Sequence, residues 1–167
     1  MGLAYRLNCP VVVNQIGTVP ESDDDPVWSS LQAVVDDLGR HGARVGAFFA
    51  AETGTDPGER LERLLGSCDD GFVAVALNPG QLIINRHSVH DAVKSLKQRI
   101  QLVCAVDGVL DLAAGRGLSV PLGQGTADFP ELIGMLEDTQ YRGQYVVGRA
   151  ESTPDELQQG IEYLRNL

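Results

Sequence analysis

Two carboxylates, Glu52 and Asp107, directly follow short apolar segments of the kind that form buried β-strands. A carboxylate in that position can help to hold a divalent cation, or can carry a proton to and from a substrate. The strands of a parallel sheet end at one edge, so we expect these two side chains to face one site. A helix cap or a surface ion pair would also explain either residue, and both explanations stay open.

Other residues that could take part in chemistry have competing structural explanations. Cys104 could be a ligand or a nucleophile, but a small residue inside an apolar strand is typical of plain core. His87 and His90 are spaced like a metal pair, yet they lie at a predicted helix start, which favours a solvated helix N-terminus. Arg116 and Arg149 could meet a phosphate, and a surface loop explains them nearly as well.

The elements that must position these residues are five apolar segments that alternate with segments of helical spacing. The apolar segments are Val11–Val13, Val45–Ala51, Phe72–Leu77, Ile100–Val106 and Tyr145–Val147. The predicted helices begin at Asp25-Pro26, Asp56-Pro57, Ser88, Asp128 and Thr153-Pro154. This alternation predicts an α/β fold with a parallel sheet and right-handed crossovers.

Two architectures fit this order of elements: part of a (β/α)8 barrel, with about five βα units, or an open doubly wound flavodoxin-like sheet. A full barrel takes about 250 residues, whereas this chain has 167. We find no composition shift or linker, and we therefore expect residues 1–167 to form a single domain.

The stretch from Val120 to Leu136 follows a predicted long loop, Gly108 to Gly125. A proline and two close glycines predict a tight turn, which alone is only a weak indication of anion binding. Asp128 is placed to cap the next helix, and Glu131 three residues later would complete a capping-box-like arrangement.

Charge and composition exclude several classes of partner. The formal net charge of −10 argues against nucleic acid and removes most of the attraction to an anionic membrane. No apolar run approaches the about 20 residues that span a bilayer, and no secretory signal is apparent. The three cysteines have no short metal-binding spacing. We therefore expect a cytoplasmic protein with reduced thiols.

Several motifs follow one another in an order that resembles a known family. They are Pro121-x-Gly-x-Gly-x-x-Asp-Phe, Tyr141-x-Gly, Glu52-Thr-Gly-Thr with Pro57, and Asn78-Pro-Gly-Gln. This order resembles the sugar phosphate isomerase/epimerase family of xylose isomerase-like TIM barrels, which is related to AP endonuclease family 2. The resemblance covers nearly the whole chain and implies the last five βα units of a barrel without its first three.

The resemblance also implies a chemistry and a set of roles. In that family a divalent metal (Mg, Mn or Zn) assists proton transfer on a sugar or keto-sugar. Carried over position by position, Glu52 and Asp107 are the catalytic and metal-binding carboxylates. The implied substrate-binding residues are Asn14, Asn78, Gln81 and Arg149.

Several of the family's metal-site positions are replaced here. Asn78 stands where the family has a metal-binding aspartate, Cys104 where it has a histidine, and Gly148 where it has a glutamate. We therefore expect a largely degraded metal site, and a protein that is weak or inactive alone as an isomerase or epimerase of a sugar or sugar phosphate. The alternative is a non-catalytic structural or ligand-binding remnant.

Five parallel strands cannot close a barrel of this kind, so two sheet edges would stay open. We expect these edges to be covered by self-association into a homo-oligomer or by a partner chain, which would also complete the site.

Overall fold

The computed structural model describes residues 1–68, 71–111 and 113–167, which contain seven strands and seven helices. The strands are β1 (Val11–Asn14), β2 (Phe48–Glu52), β3 (Val73–Leu77), β4 (Ile100–Ala105), β5 (Asp107–Asp111), β6 (Arg116–Val120) and β7 (Gln144–Val147). The helices are α1 (Gly2–Arg6), α2 (Pro26–Val45), α3 (Gly58–Gly66), α4 (Pro79–Ile84), α5 (Val89–Leu96), α6 (Phe129–Glu137) and α7 (Pro154–Arg165).

The main sheet has five strands in the order β1-β2-β3-β4-β7, and all four pairings are parallel. It curls as a half-barrel, and helices cover its convex face. The core on that face combines strand residues such as Val75 and Leu77 with helix residues such as Leu64, Leu96 and Phe129. The predicted partial barrel is therefore confirmed.

The concave face of the sheet decides between the two predicted architectures. The small core on this face consists of Ala50, Ala74, Ala76 and Leu102. The partly buried side chains that pack against this core, including Cys104 of β4, all belong to strands. A doubly wound sheet would carry helices on both faces, so the open flavodoxin-like alternative is wrong.

The boundary between α2 and β2 lies later than the sequence predicts. Asp25 caps α2 as expected, with its Oδ1 accepting from the Val27 N–H at 2.8 Å. The helix continues through Val45, which was predicted to begin the strand. It ends at Gly46, whose φ of +75° is the left-handed conformation that glycine adopts after a helix.

The predicted loop from Gly108 to Gly125 is wrong over most of its length. Residues Asp107–Asp111 and Arg116–Val120 pair as an antiparallel hairpin, β5–β6, while Leu112 lies outside the described residues. The hairpin packs on α4, where a Cβ on Gly117 would meet the backbone of Ile84. This close approach explains a glycine that the sequence analysis assigned to a loop.

Helix starts are mostly as predicted, with two corrections. Asp128 caps α6 through the Glu131 N–H at 2.9 Å, but the Glu131 carboxylate pairs with His90 instead of closing a capping box. Asp56 does not cap α3, because its carboxylate accepts from the Val19 N–H and binds Arg60. Over the described ranges, no helix has both the length and the apolar character that a membrane crossing needs.

Candidate functional site

The predicted site residues lie at one edge of the sheet, where its parallel strands end. Asn14 and Glu52 are the last residues of β1 and β2, and Asn78 directly follows β3. Asp107 and Arg149 each lie two residues after the end of their strands, β4 and β7. Gln81 lies in the first turn of α4, which Asn78 caps.

Glu52 and Asn78 form a direct pair at this edge. The Asn78 Nδ2 donates a hydrogen bond to Glu52 Oε1 at 2.7 Å. Asn78 is itself fixed, because its backbone N–H donates to Thr53 Oγ1 at 2.8 Å and its Oδ1 accepts from the Gln81 N–H at 3.0 Å. The part played by Thr53 was not predicted from the sequence, although this residue belongs to the Glu-Thr-Gly-Thr motif. One carboxylate oxygen of Glu52 is thereby held, and the other has no hydrogen bond within the described residues.

Glu52 lies on the concave face together with Cys104. The register places Glu52 beside Ala76, in line with the buried Ala50 and Ala74 of that face. Burial and, as the smaller cause, the negative charge of Glu52 together raise the pKa of the Cys104 thiol to about 11. A free thiolate at Cys104 is therefore disfavoured at neutral pH.

This proximity gives a first prediction. Glu52→Gln removes the negative charge, so the pKa of Cys104 should fall and its thiolate fraction at pH 8.5 should rise. We expect a severalfold faster alkylation of Cys104 by iodoacetamide, followed by mass spectrometry of the modified peptide. The matched control is Glu62→Gln on α3, whose carboxylate binds Arg99 instead. Equal rates at Cys104 in the two variants would contradict the prediction.

The carboxylate of Asp107 is enclosed by backbone amides. Its Oδ1 accepts from the N–H groups of Gly108 at 2.8 Å and Ala127 at 3.1 Å. Its Oδ2 accepts from the N–H groups of Gly123 at 3.1 Å and Gly125 at 2.8 Å. The residue is 1% exposed, so its carboxylate is shielded from solvent and these four hydrogen bonds replace those that water would make. Asp107 thus ties the turn at residues 121–127 to the end of β4.

The contacts of Asp107 are those of a residue that holds a loop. Both oxygens already accept two hydrogen bonds each, which uses the usual lone-pair capacity of a carboxylate. Its assignment as a catalytic or metal-binding group stays a prediction. The sequence could place Asp107 at a strand end, but it gave no sign that four donors lie around it.

The remaining predicted residues differ in how far they are engaged. Asn14 is exposed and makes no side-chain hydrogen bond within the described residues. Gln81 is half-buried, and its Cβ leaves no room for a side chain on Gly54. Arg149 binds both oxygens of Glu156 at 3.0 and 3.1 Å, and its buried Nε has no partner in the described part of the chain. Arg149 therefore braces the first turn of α7.

The donor set at this edge does not match that of a divalent-cation centre. Among the residues described, no three His, Cys, Asp or Glu side chains lie close enough together to hold a metal ion. Cations such as Mg²⁺ and Mn²⁺ take several oxygen ligands, whereas of the two predicted metal-binding carboxylates, both within the described residues, Glu52 has an oxygen without a hydrogen bond and Asp107 has none. The two histidines that are spaced like a metal pair have other partners. His90 is exposed and paired with Glu131, and the Nε2 atom of His87 lies 3.3 Å from the Thr55 carbonyl oxygen.

Two small cavities flank the strand ends, and a larger groove lies elsewhere. The cavity beside Glu52 and the cavity beside Arg149 measure about 10 and 20 Å³. A groove of about 620 Å³ lies between α6 and α7, on the outer side of β7. A ligand of the predicted site would therefore lie on the open concave side, above Glu52, and not in either small cavity.

Comparison with known proteins agrees with this architecture. The family model described as a xylose isomerase-like TIM barrel matches residues 1–167. The chain belongs to this family. It is thus one of the sugar isomerase- and epimerase-like TIM barrels, and the family resemblance of the sequence is confirmed. No curated protein sequence matches this chain.

Solved structures share the fold at low sequence identity. A xylose isomerase domain protein from Planctomyces limnophilus is 23% identical with a TM-score of 0.86, over 98% of this chain and 59% of that one. A xylose isomerase-like TIM barrel protein from Mycobacterium smegmatis, in complex with magnesium, is 16% identical with a TM-score of 0.76, over 98% and 62%. D-psicose 3-epimerase with D-tagatose from Clostridium cellulolyticum H10 is 14% identical with a TM-score of 0.72, over 98% and 66%. The chain therefore spans 59 to 66% of the length of these structures.

Proposed function

We propose that this chain binds a sugar or keto-sugar at the carboxyl edge of its half-barrel, and that alone it has little isomerase or epimerase activity. The observation that carries the proposal is the Glu52–Asn78 pair. Asn78 fixes one oxygen of Glu52 at 2.7 Å, and the other oxygen stays available to a ligand on the concave side. The D-psicose 3-epimerase with D-tagatose, a structure of the same fold, supports a keto-sugar as the ligand class.

The chemistry open to Glu52 is limited by what surrounds it. Its free oxygen can accept a hydrogen bond from a sugar hydroxyl, or take a proton from a carbon next to a carbonyl group. Proton removal leaves negative charge on the carbonyl oxygen, and that charge needs an electrophile or a positioned donor. The Asn78 side chain already donates a hydrogen bond to Glu52. Asp107 is only an acceptor, so it cannot stabilise negative charge on the substrate. Binding without efficient proton transfer is what this arrangement favours.

Calorimetry tests the proposal directly. We expect D-tagatose to bind the wild-type chain and this binding to be lost in Glu52→Gln, with Glu59→Gln, an exposed residue of α3, as the matched control. We also expect no micromolar affinity for Mn²⁺, Mg²⁺ or Zn²⁺. Micromolar metal binding that disappears in Glu52→Ala would overturn the degraded metal site, and unchanged sugar binding in Glu52→Gln would overturn the role of Glu52.

A gain of cation binding is expected from Asn78→Asp. The variant keeps the cap on α4 but replaces the donor to Glu52 with a second carboxylate oxygen, so two carboxylates then repel each other. A divalent cation relieves that repulsion, and we expect Mn²⁺ to raise the melting temperature of the variant and not that of the wild type. The control is Asn85→Asp at the end of α4, which should not respond. Identical responses of wild type and Asn78→Asp to Mn²⁺ would contradict the prediction.

A second candidate function is a structural unit that self-associates. The observation that favours it is the apolar concave face, which extends between the two edge strands β1 and β7. On this face Val146 of β7 is 48% exposed. A second copy of the chain placed on this face would bury Val146 and cover the edges. Sedimentation should then show an oligomer that Val146→Lys dissociates and Val27→Lys, an exposed valine of α2, does not. A monomer at micromolar concentration would overturn this candidate.

A further inference from the structure

The turn at residues 121–127 presents its backbone amides to a single point. The N–H groups of Gly123, Gly125 and Ala127 converge on the Asp107 carboxylate together with the N–H of Gly108. Four converging amides form the kind of concavity, a nest, that binds anions such as phosphate and carboxylate in proteins. Here the anion is supplied by the chain itself.

The nest is built around that carboxylate without spare room. Asp107 is 1% exposed, and a Cβ on Gly125 would overlap its carboxylate. The turn is also fixed from the other side, because the Thr126 N–H and Oγ1 both donate to the Gly108 carbonyl oxygen at 3.0 and 3.1 Å. An incoming anion would have to displace Asp107 from four hydrogen bonds to reach these amides.

We propose that the amides of Gly108, Gly123, Gly125 and Ala127 are an anion nest filled in cis by Asp107, so that the sugar bound at this edge carries no phosphate at this turn. The clause about the sugar rests on the function proposed above, whereas the filled nest rests on the geometry alone. A phosphate group on the ligand therefore finds no binding site among the amides of this turn.

The arginines that could have met a phosphate support the same conclusion. Arg149 already holds both oxygens of Glu156. Arg116 begins β6, at the end of that strand opposite to Val120, after which the turn at residues 121–127 begins. The formal net charge of −10 adds a general repulsion of anions.

The experiment is an amide-resolved NMR titration of the whole chain with two probes, inorganic phosphate and formate. In the wild type we expect no saturable shift at the four nest amides with either probe. In Asp107→Ala the nest is vacated, and we expect saturable shifts of the same amides with formate, which has the size and charge of the lost group. Asp111→Ala, whose carboxylate accepts from one exposed amide, is the matched control and should behave as the wild type.

Each outcome decides the inference. Saturable phosphate shifts at the wild-type nest would overturn it, and so would an Asp107→Ala variant whose amides ignore formate. Should Asp107→Ala unfold, its melting curve in rising formate replaces the titration: recovery of folding supports the nest, and no recovery overturns it. Failure of D-tagatose to bind would overturn the proposed function and leave these amide measurements unaffected, so the two failures can be told apart.

Discussion

Replacing Asp107 with alanine should lower the free energy of unfolding by about 3 to 5 kcal/mol, which is among the larger effects that one side chain can have. The side chain accepts four amide hydrogen bonds, and hydrogen bonds to a charged group contribute about 1.5 to 3 kcal/mol each, though not additively. Its removal leaves four N–H groups without their acceptor. The loss should appear as a lower midpoint in urea, and the turn at 121–127 should become sensitive to proteases.

A matched comparison separates this effect from the loss of any acidic residue. Asp111→Ala, in the same hairpin, removes one hydrogen bond to the Ala114 N–H in an exposed position and should cost about 1 kcal/mol or less. Asp107→Asn is informative as well, since its amide would point a donor at two of the nest N–H groups and should not restore stability. Equal stabilities of Asp107→Ala and Asp111→Ala would show that the nest contributes little.

The sequence could predict the sheet because each strand is an apolar run of its own. Buried parallel strands carry apolar residues on both faces, and β3, which is buried throughout, is a clear example. Proline and capping residues at the starts of α2, α6 and α7 are equally local signals. Fold class and element order therefore followed from short stretches of chain.

The elements that the sequence analysis missed are those whose local signal is weak. The β5–β6 hairpin is largely half-exposed and contains three glycines, so it has neither an apolar run nor clear alternation. It is ordered instead by its contact with α4, an element that begins with Pro79-Gly80 and was not among the predicted helices. Tertiary packing decided both elements, and no window of sequence contains that information.

The same distinction applies within the candidate site. The sequence placed Glu52, Asn78 and Asp107 at strand ends, and the structure agrees with each position. It could not show that Asn78 donates to Glu52 across 26 residues, or that Asp107 binds amides 16 to 20 residues further on. Two carboxylates with equal standing in the sequence therefore differ in their surroundings, one with a free oxygen and the other fully enclosed.

Gly125 lies against the enclosed carboxylate of Asp107, and this position should be the most sensitive to an added side chain. Gly125→Ala should lower the free energy of unfolding by about 2 to 4 kcal/mol. The added methyl group would overlap the Asp107 carboxylate, so either the turn must move or the hydrogen bonds from Gly123 and Gly125 must lengthen. Gly134→Ala is the control with the same chemistry: it lies in α6 with nothing within 4 Å of the new Cβ and should stabilise by about 0.5 to 1 kcal/mol. Chemical denaturation of the two variants should thus give shifts of opposite sign. A Gly125→Ala protein as stable as the wild type would mean that the turn can leave Asp107 at no cost, and the filled nest would then not hold.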